Sequence, residues 1–112
     1  MGAMTTPLTT FSYEKDKRTS TYTGHATQDP HIVIETRKVP TGSQVMAESR
    51  VKVVSGTEDA DGLVLQNKVS FEAVVRYPVD GIVADVTAAL AIFRDIVAGD
   101  EFANTVSKQE WL

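Results

Sequence analysis

The feature that most constrains this chain is a change of hydrophobic period. Residues 31–54 and 66–77 alternate apolar and polar side chains, as a strand does when one face is buried and the other solvated. Residues 82–98 (IVADVTAALAIFRDIVA) recur instead at steps of three and four, the period of an amphipathic helix. Strands come first and helices last, which describes an α+β domain. A chain too small to cover a broad sheet alone ends in helices with an apolar stripe. That pattern points to assembly rather than chemistry.

Size and composition set the bounds. The 112 residues fit one domain, 1–112, and an apolar content of 42% excludes wholesale disorder. A core of this size is modest, and association commonly supplements it. The chain has no cysteine, so it carries neither a disulfide framework nor thiol chemistry, and it fits a cytosolic setting. No apolar run approaches the roughly 20 residues of a membrane span, so no membrane partner is expected. The N-terminus lacks the apolar core of a signal peptide. Met1-Gly2-Ala3-Met4 leaves two starts open, Met1 and Met4. The net charge is −4, yet residues 80–112 alone hold six acids and two bases. The first 79 residues balance nine acids against nine bases. A neutral sheet region can still present a basic face.

Residues 1–10 are Thr-rich and read as an extended arm or an edge strand. Phe11 and Tyr13, then Thr19, Thr21 and Thr23, alternate with polar or small residues on either side of a charged turn at 14–18; this is a hairpin. Three longer strands follow: His31–Val39, stopped by Pro40-Thr41-Gly42; Val45–Val54, stopped by Ser55-Gly56; and a third within Leu63–Tyr77, starting as late as Gln66. The acidic loop 57–62 separates the last two, with Asp61-Gly62 as its turn signal. Asp80 is the expected N-cap of the first helix, with Asp85 in its first turn and Gly99 at its C-cap. Ile82, Val86, Ala89, Leu90, Phe93, Ile96 and Val97 share one face. Asp100 is then expected to cap a second helix over 101–109, with sparse apolar positions at Phe102 and Val106.

Alternation sorts the strand residues into faces. Ile32 and Ile34 oppose His31, Val33, Glu35 and Arg37. Val45, Ala47, Val51 and Val53 oppose Glu48, Arg50 and Lys52. Val69, Phe71, Ala73, Val75 and Tyr77 oppose Lys68, Ser70, Glu72, Val74 and Arg76. The expectation is one apolar face and one polar face, the latter gathering Arg37, Arg50, Lys52, Lys68 and Arg76 among Glu35, Glu48 and Glu72. The plainest account is a solvated sheet surface whose Glu and Arg residues pair across strands without any ligand.

Chemistry-bearing patterns are thin. His25 and His31 lack metal-ligand spacing. Asp59 and Asp61 flank Ala60, but the other positions of an EF-hand loop are missing. There is no P-loop, nucleophile elbow or dinucleotide fingerprint. No enzymatic activity, cofactor, metal or small-molecule substrate is expected.

The order of elements resembles the coat proteins of the single-stranded RNA bacteriophages, the levivirus group. HIVIETRKV, VMAESRVKVV and NKVSFEAVVRYP resemble their central strands. SGTEDADG occupies the place of the loop between the family's sixth and seventh strands, and DVTAALAIFRDIVAGDEF resembles the first helix, the break and the start of the second. The chain is short for that family, with a trimmed hairpin and C-terminus. The resemblance implies an N-terminal β-hairpin, an antiparallel sheet, and two C-terminal helices that pack across a dimer partner. It also implies a capsid role: homodimers assemble into a small icosahedral shell, of T=3 type, around viral genomic RNA in the virion, after synthesis in the bacterial host cytoplasm.

The family's RNA-contacting positions carry over to His31, Val33, Glu35 and Arg37 on the first central strand, Glu48, Arg50 and Lys52 on the second, and Lys68, Ser70 and Glu72 on the third. There Arg and Lys would meet phosphates, and splayed bases would meet pockets or planar groups. The same surface would bind an RNA hairpin as a translational repressor, although the three glutamates and the lack of a stacking aromatic depart from the family pattern. The dimer interface falls to Ile82, Val86, Leu90, Phe93, Val97 and Phe102, and contacts between dimers to the loop residues Gly56, Thr57, Glu58, Asp59, Asp61 and Gly62. The competing reading is a small cellular homodimeric α+β interaction module that binds no nucleic acid. An RRM is disfavoured, because both helices come last and no aromatic RNP motif is present.

Overall fold

The computed structural model describes residues 2–41 and 45–112. Five strands, β1 (Thr9–Glu14), β2 (Lys17–Thr21), β3 (His31–Lys38), β4 (Met46–Ser55) and β5 (Val69–Pro78), precede α1 (Val83–Ala98) and α2 (Asp100–Lys108). The strands form one antiparallel sheet in sequence order, β1-β2-β3-β4-β5. This is the expected hairpin, sheet and helix pair. The chain divides into two compact units, Met1–Arg76 and Tyr77–Leu112.

In the first unit, Lys15-Asp16 closes the β1–β2 hairpin between the paired residues Glu14 and Lys17. The register shifts between Thr10 and Ser12, so Phe11 is the extra residue of a bulge on the edge strand. The β2–β3 connection turns through Gly24 at φ +92°, a backbone that side chains disfavour, and a Cβ there would press on the His31 ring at 2.8 Å. His31 Nδ1 lies 2.8 Å from the Thr23 carbonyl, and the His31 ring stacks on Tyr22 with centroids 5.1 Å apart. β3 and β4 pair from His31↔Ser55 to Lys38↔Glu48. Val45 precedes β4 rather than opening it. Gly42 of the expected stop lies outside the described residues.

The β4–β5 connection is longer and more ordered than the sequence suggests. Asp59 Oδ1 accepts the Asp61 and Leu63 amides at 2.9 and 3.0 Å, and the Asp59 amide donates to the Leu63 carbonyl at 2.9 Å. Glu58 bridges Val64, and the Leu65 amide donates to the Thr57 carbonyl. Residues 63–65 thus spend backbone groups on the loop, which delays the third long strand to Val69. Gly62 supplies the positive φ of the turn, +81°.

In the second unit, the helix boundaries correct the expected caps. Val79–Gly81 form a turn closed by the Gly81 amide and the Pro78 carbonyl, so Asp80 does not cap α1. Ile82 holds the N-cap position and makes no side-chain capping bond. Gly99 ends α1 in an extended conformation (φ −79°, ψ 158°) and also precedes α2, so Asp100 is a first-turn residue rather than a cap. There, as at Asp85, a carboxylate complements the helix dipole. Gln109, in the left-handed region at φ 55°, closes α2.

Among the described residues only Ser20 (0% exposed) and Val33 (9%) are buried, and they face each other across β2 and β3. Phe71, Val75, Leu90, Phe93 and Val97 all remain exposed on the single chain.

Candidate nucleic-acid interface

Residues directly opposite one another in an antiparallel pair project from the same face. The β3–β4 register joins Glu35 to Val51, Arg37 to Ser49, Val33 to Val53 and His31 to Ser55. It joins Ile34 to Lys52, Thr36 to Arg50 and Lys38 to Glu48. His31, Val33, Glu35 and Arg37 therefore lie on the face opposite to Glu48, Arg50 and Lys52. The expected single polar face is wrong in this respect. Alternation within one strand fixes two sets of residues but not which set meets which across the next strand. That match depends on the parity of the intervening connection, and β3 has apolar residues in both sets.

The corrected cationic face is built from three further observations. Lys17 pairs with Thr36, which in turn pairs with Arg50, so Lys17, with Glu14 opposite it on β1, shares the face of Arg50 with Thr36 between them. Lys38, opposite Glu48, joins the same face. Arg50 Nη1 lies 3.7 Å from Glu72 Oε1 and Arg76 Nε 2.6 Å from Glu48 Oε1, which sets Glu72 and Arg76 of β5 on that face. Ser70 shares the parity of Glu72. Lys68 lies before β5 and donates to the Leu65 carbonyl at 2.6 Å. The sequence reading missed Lys17 and Lys38. The signal was the charged turn itself: a two-residue hairpin at Lys15-Asp16 fixes the face of Lys17.

The face is ion-paired within itself. Glu48 is its shielded centre, with a side chain only 14% exposed. Arg76 Nε donates to Glu48 Oε1, Arg50 Nη2 approaches the same oxygen at 3.4 Å, and Lys38 Nζ stands 3.8 Å from Oε2. The hydrogen bond from Arg76 holds the Glu48 carboxyl below the usual carboxylate range; desolvation opposes this, and Arg50 adds to it. On the other face, Arg37 is engaged at the hairpin turn, with Nε 3.5 Å from Asp16 Oδ1 and Nη2 donating to the Lys15 carbonyl.

Among the remaining predicted positions, Ile82, Leu90, Phe93 and Val97 are exposed and Val86 and Phe102 are half-buried. Gly56, Thr57, Glu58, Asp59, Asp61 and Gly62 all fall in the β4–β5 connection. No group of side chains suited to a metal ion occurs among the described residues.

The sheet order and helix pair have counterparts among solved structures. A chain of the virus-like particle of Wenzhou levi-like virus 4 superposes with a TM-score of 0.81 at 11% identity, covering 96% of this chain and 78% of that one. A chain of the virus-like particle of Beihai levi-like virus 32 gives 0.77 at 11% identity, covering 98% and 91%. A chain of the virus-like particle of bacteriophage AC gives 0.63 at 18% identity, covering 90% and 94%. This is the RNA-phage coat-protein fold. No protein-family model and no curated protein sequence matches the chain. The coat-protein fold is thus carried here by topology and face pattern rather than by residue identity.

Proposed function

We propose that this chain is a capsid subunit of an RNA phage. Two copies join as a homodimer, and dimers enclose genomic RNA in an icosahedral shell. The observation that carries the reading is the fold match at a TM-score of 0.81 to a chain of a levi-like virus particle. A single chain that buries little and leaves Phe71, Val75, Leu90 and Phe93 exposed supports the need for neighbours. The β4–β5 connection, with Gly56, Thr57, Glu58, Asp59, Asp61 and Gly62, supplies contacts between dimers. The RNA-facing surface is the cationic face, centred on Arg50 and Lys52 and extended by Lys17, Lys38 and Arg76. This set replaces His31, Val33, Glu35 and Arg37. Ser70 and Glu72 stay at its β5 edge, and recognition of a specific hairpin belongs to the same surface.

Electron microscopy and the absorbance ratio of purified particles test both parts. The expected result is uniform shells containing RNA, with the Arg50→Ala, Lys52→Ala double variant forming dimers that carry less RNA. Dispersed protein with no closed particles under any assembly condition refutes the capsid role. Particles of the double variant with undiminished RNA refute the assignment of the face.

A further inference from the structure

Three cations from three strands converge on one carboxylate of the cationic face. Arg76 of β5 and Arg50 of β4 reach Glu48 Oε1 at 2.6 and 3.4 Å, and Lys38 of β3 stands 3.8 Å from Oε2. Arg50 also has Glu72 Oε1 at 3.7 Å, so the three cations face two carboxylates and keep one positive charge in excess. Accessibility is divided unevenly: the Glu48 side chain is 14% exposed, whereas Lys38, Arg50 and Arg76 are 80%, 43% and 58% exposed. The anion is sheltered, and the cations keep open edges toward solvent. An RNA phosphodiester offers what the carboxylate offers, one negative charge shared over two outer oxygens, and guanidinium groups take either in the same forked geometry.

We propose that Lys38, Arg50 and Arg76 form a phosphate-binding site for RNA and that Glu48 is its built-in competitor. The inference rests on the reading that this face meets RNA. In the unliganded protein Glu48 fills the site. An RNA strand engages the open edges first, and its phosphate then takes the bonds that the carboxylate gives up. The glutamate side chain turns about several single bonds, so it can swing aside without moving β4. Glu48 thereby raises the threshold for weak, isolated phosphates and leaves the site to a strand that presents several phosphates together. The charge balance at the cations limits the cost of the exchange: one anion leaves as another arrives.

The test compares wild-type protein, Glu48→Gln and the Arg50→Ala, Lys52→Ala double variant for binding of a fluorescent oligouridylate across a salt series. Glu48→Gln keeps the side-chain shape and removes the charge. It is expected to bind about tenfold more tightly at low salt. Its log–log salt dependence should steepen by about 0.7 for each additional phosphate that the freed cations neutralise. Unchanged or weaker binding by Glu48→Gln, with binding lost in the double variant, overturns the competitor role and leaves Glu48 as a fixed strut. Unchanged binding by the double variant overturns the RNA-facing assignment itself.

A wild-type measurement covers the case in which Glu48→Gln does not fold. The Arg76 Nε–H resonance should move on addition of oligouridylate and return as salt releases the strand. The same concentration of phosphate groups supplied as inorganic phosphate should leave it in place. A resonance unmoved by saturating oligouridylate, or moved equally by inorganic phosphate, overturns the proposal.

Discussion

Truncating Phe93 should weaken the dimer about a thousandfold. Phe93 lies near the middle of the α1 stripe and is 51% exposed on the single chain. A phenylalanine presents on the order of 200 Å² of surface, so about 100 Å² remains for a second copy to cover. At about 25 cal/mol per Å² that is about 2.5 kcal/mol per subunit. Phe93→Ala retains only the Cβ and loses most of it. Two copies contribute per dimer, giving about 4 kcal/mol, or about a thousandfold in the dissociation constant. Sedimentation equilibrium across protein concentration measures this, with circular dichroism confirming that α1 persists. Ile92→Ala is the control. Ile92 is 64% exposed, more than Phe93, but lies off the stripe. If apolar area alone drives association, the control weakens the dimer as much. Equal effects of the two variants, or no effect of Phe93→Ala, refute the argument that this stripe is the interface.

Ser20 is fully buried and its hydroxyl has no hydrogen-bond partner among the described residues, so Ser20→Ala should be neutral or stabilise by about 1 kcal/mol in urea unfolding. A loss above that size would mean the hydroxyl is satisfied in solution. Gly56→Ala should destabilise by about 1–3 kcal/mol, because a Cβ there collides with the Asp29 carboxylate and crowds the Asp29 Cα at 3.2 Å, where the Gly56 amide also donates to the Pro30 carbonyl at 2.8 Å. Acid titration followed by circular dichroism should separate wild-type protein from Glu48→Gln. The folded Glu48 carboxyl lies below its unfolded value, so its contribution is present above the ordinary carboxylate range and lost as pH falls through the lowered folded value; Glu48→Gln should lack that part of the acid dependence. The melting temperature of the wild-type dimer should rise by about 3 °C per tenfold increase in concentration, from about 1.4 kcal/mol of mass action against the unfolding entropy of two chains. A melting temperature constant from micromolar to hundred-micromolar protein would count against an obligate dimer.

The order of elements was legible because period and punctuation agree. Val69–Tyr77 alternates except at Val74 and the strand ends at Pro78, while the apolar stripe of α1 recurs at steps of three and four from Val86 to Val97. The caps were less legible. Asp80 is an excellent capping residue, but the backbone turns one step later, with Gly81 bonded back to Pro78, and leaves Ile82 at the position. Side-chain preference was overruled by where the chain could leave the sheet. The start of β5 was hidden for a related reason. Leu63-Val64-Leu65 has the composition of a strand, but Asp59 captures the amide of Leu63 and ties the segment into the loop.

The largest misreading concerned the faces, and it changes the electrostatics. Grouping Arg37 and Glu35 with Arg50 treats strands as if their patterns matched by chemistry alone. The register matches them by position, so Lys17 and Lys38 enter the cationic face as Glu35 and Arg37 leave it. Lys17 brings its cross-strand partner Glu14 with it, so the face loses a carboxylate and a guanidinium, gains two ammonium groups and a carboxylate, and becomes more positive by one charge. A net charge of −4 is then no obstacle to an RNA partner, because six of the acids belong to residues 80–112. What restrains the face is its own chemistry. Glu48 and Glu72 hold Arg50 between them, and Glu48 also holds Arg76. A surface of bare cations would bind any RNA at low salt, and the phosphate contribution carries no sequence information. Acids placed among the cations lower that indiscriminate attraction and leave more of the binding free energy to shape, bases and the number of subunits engaged together.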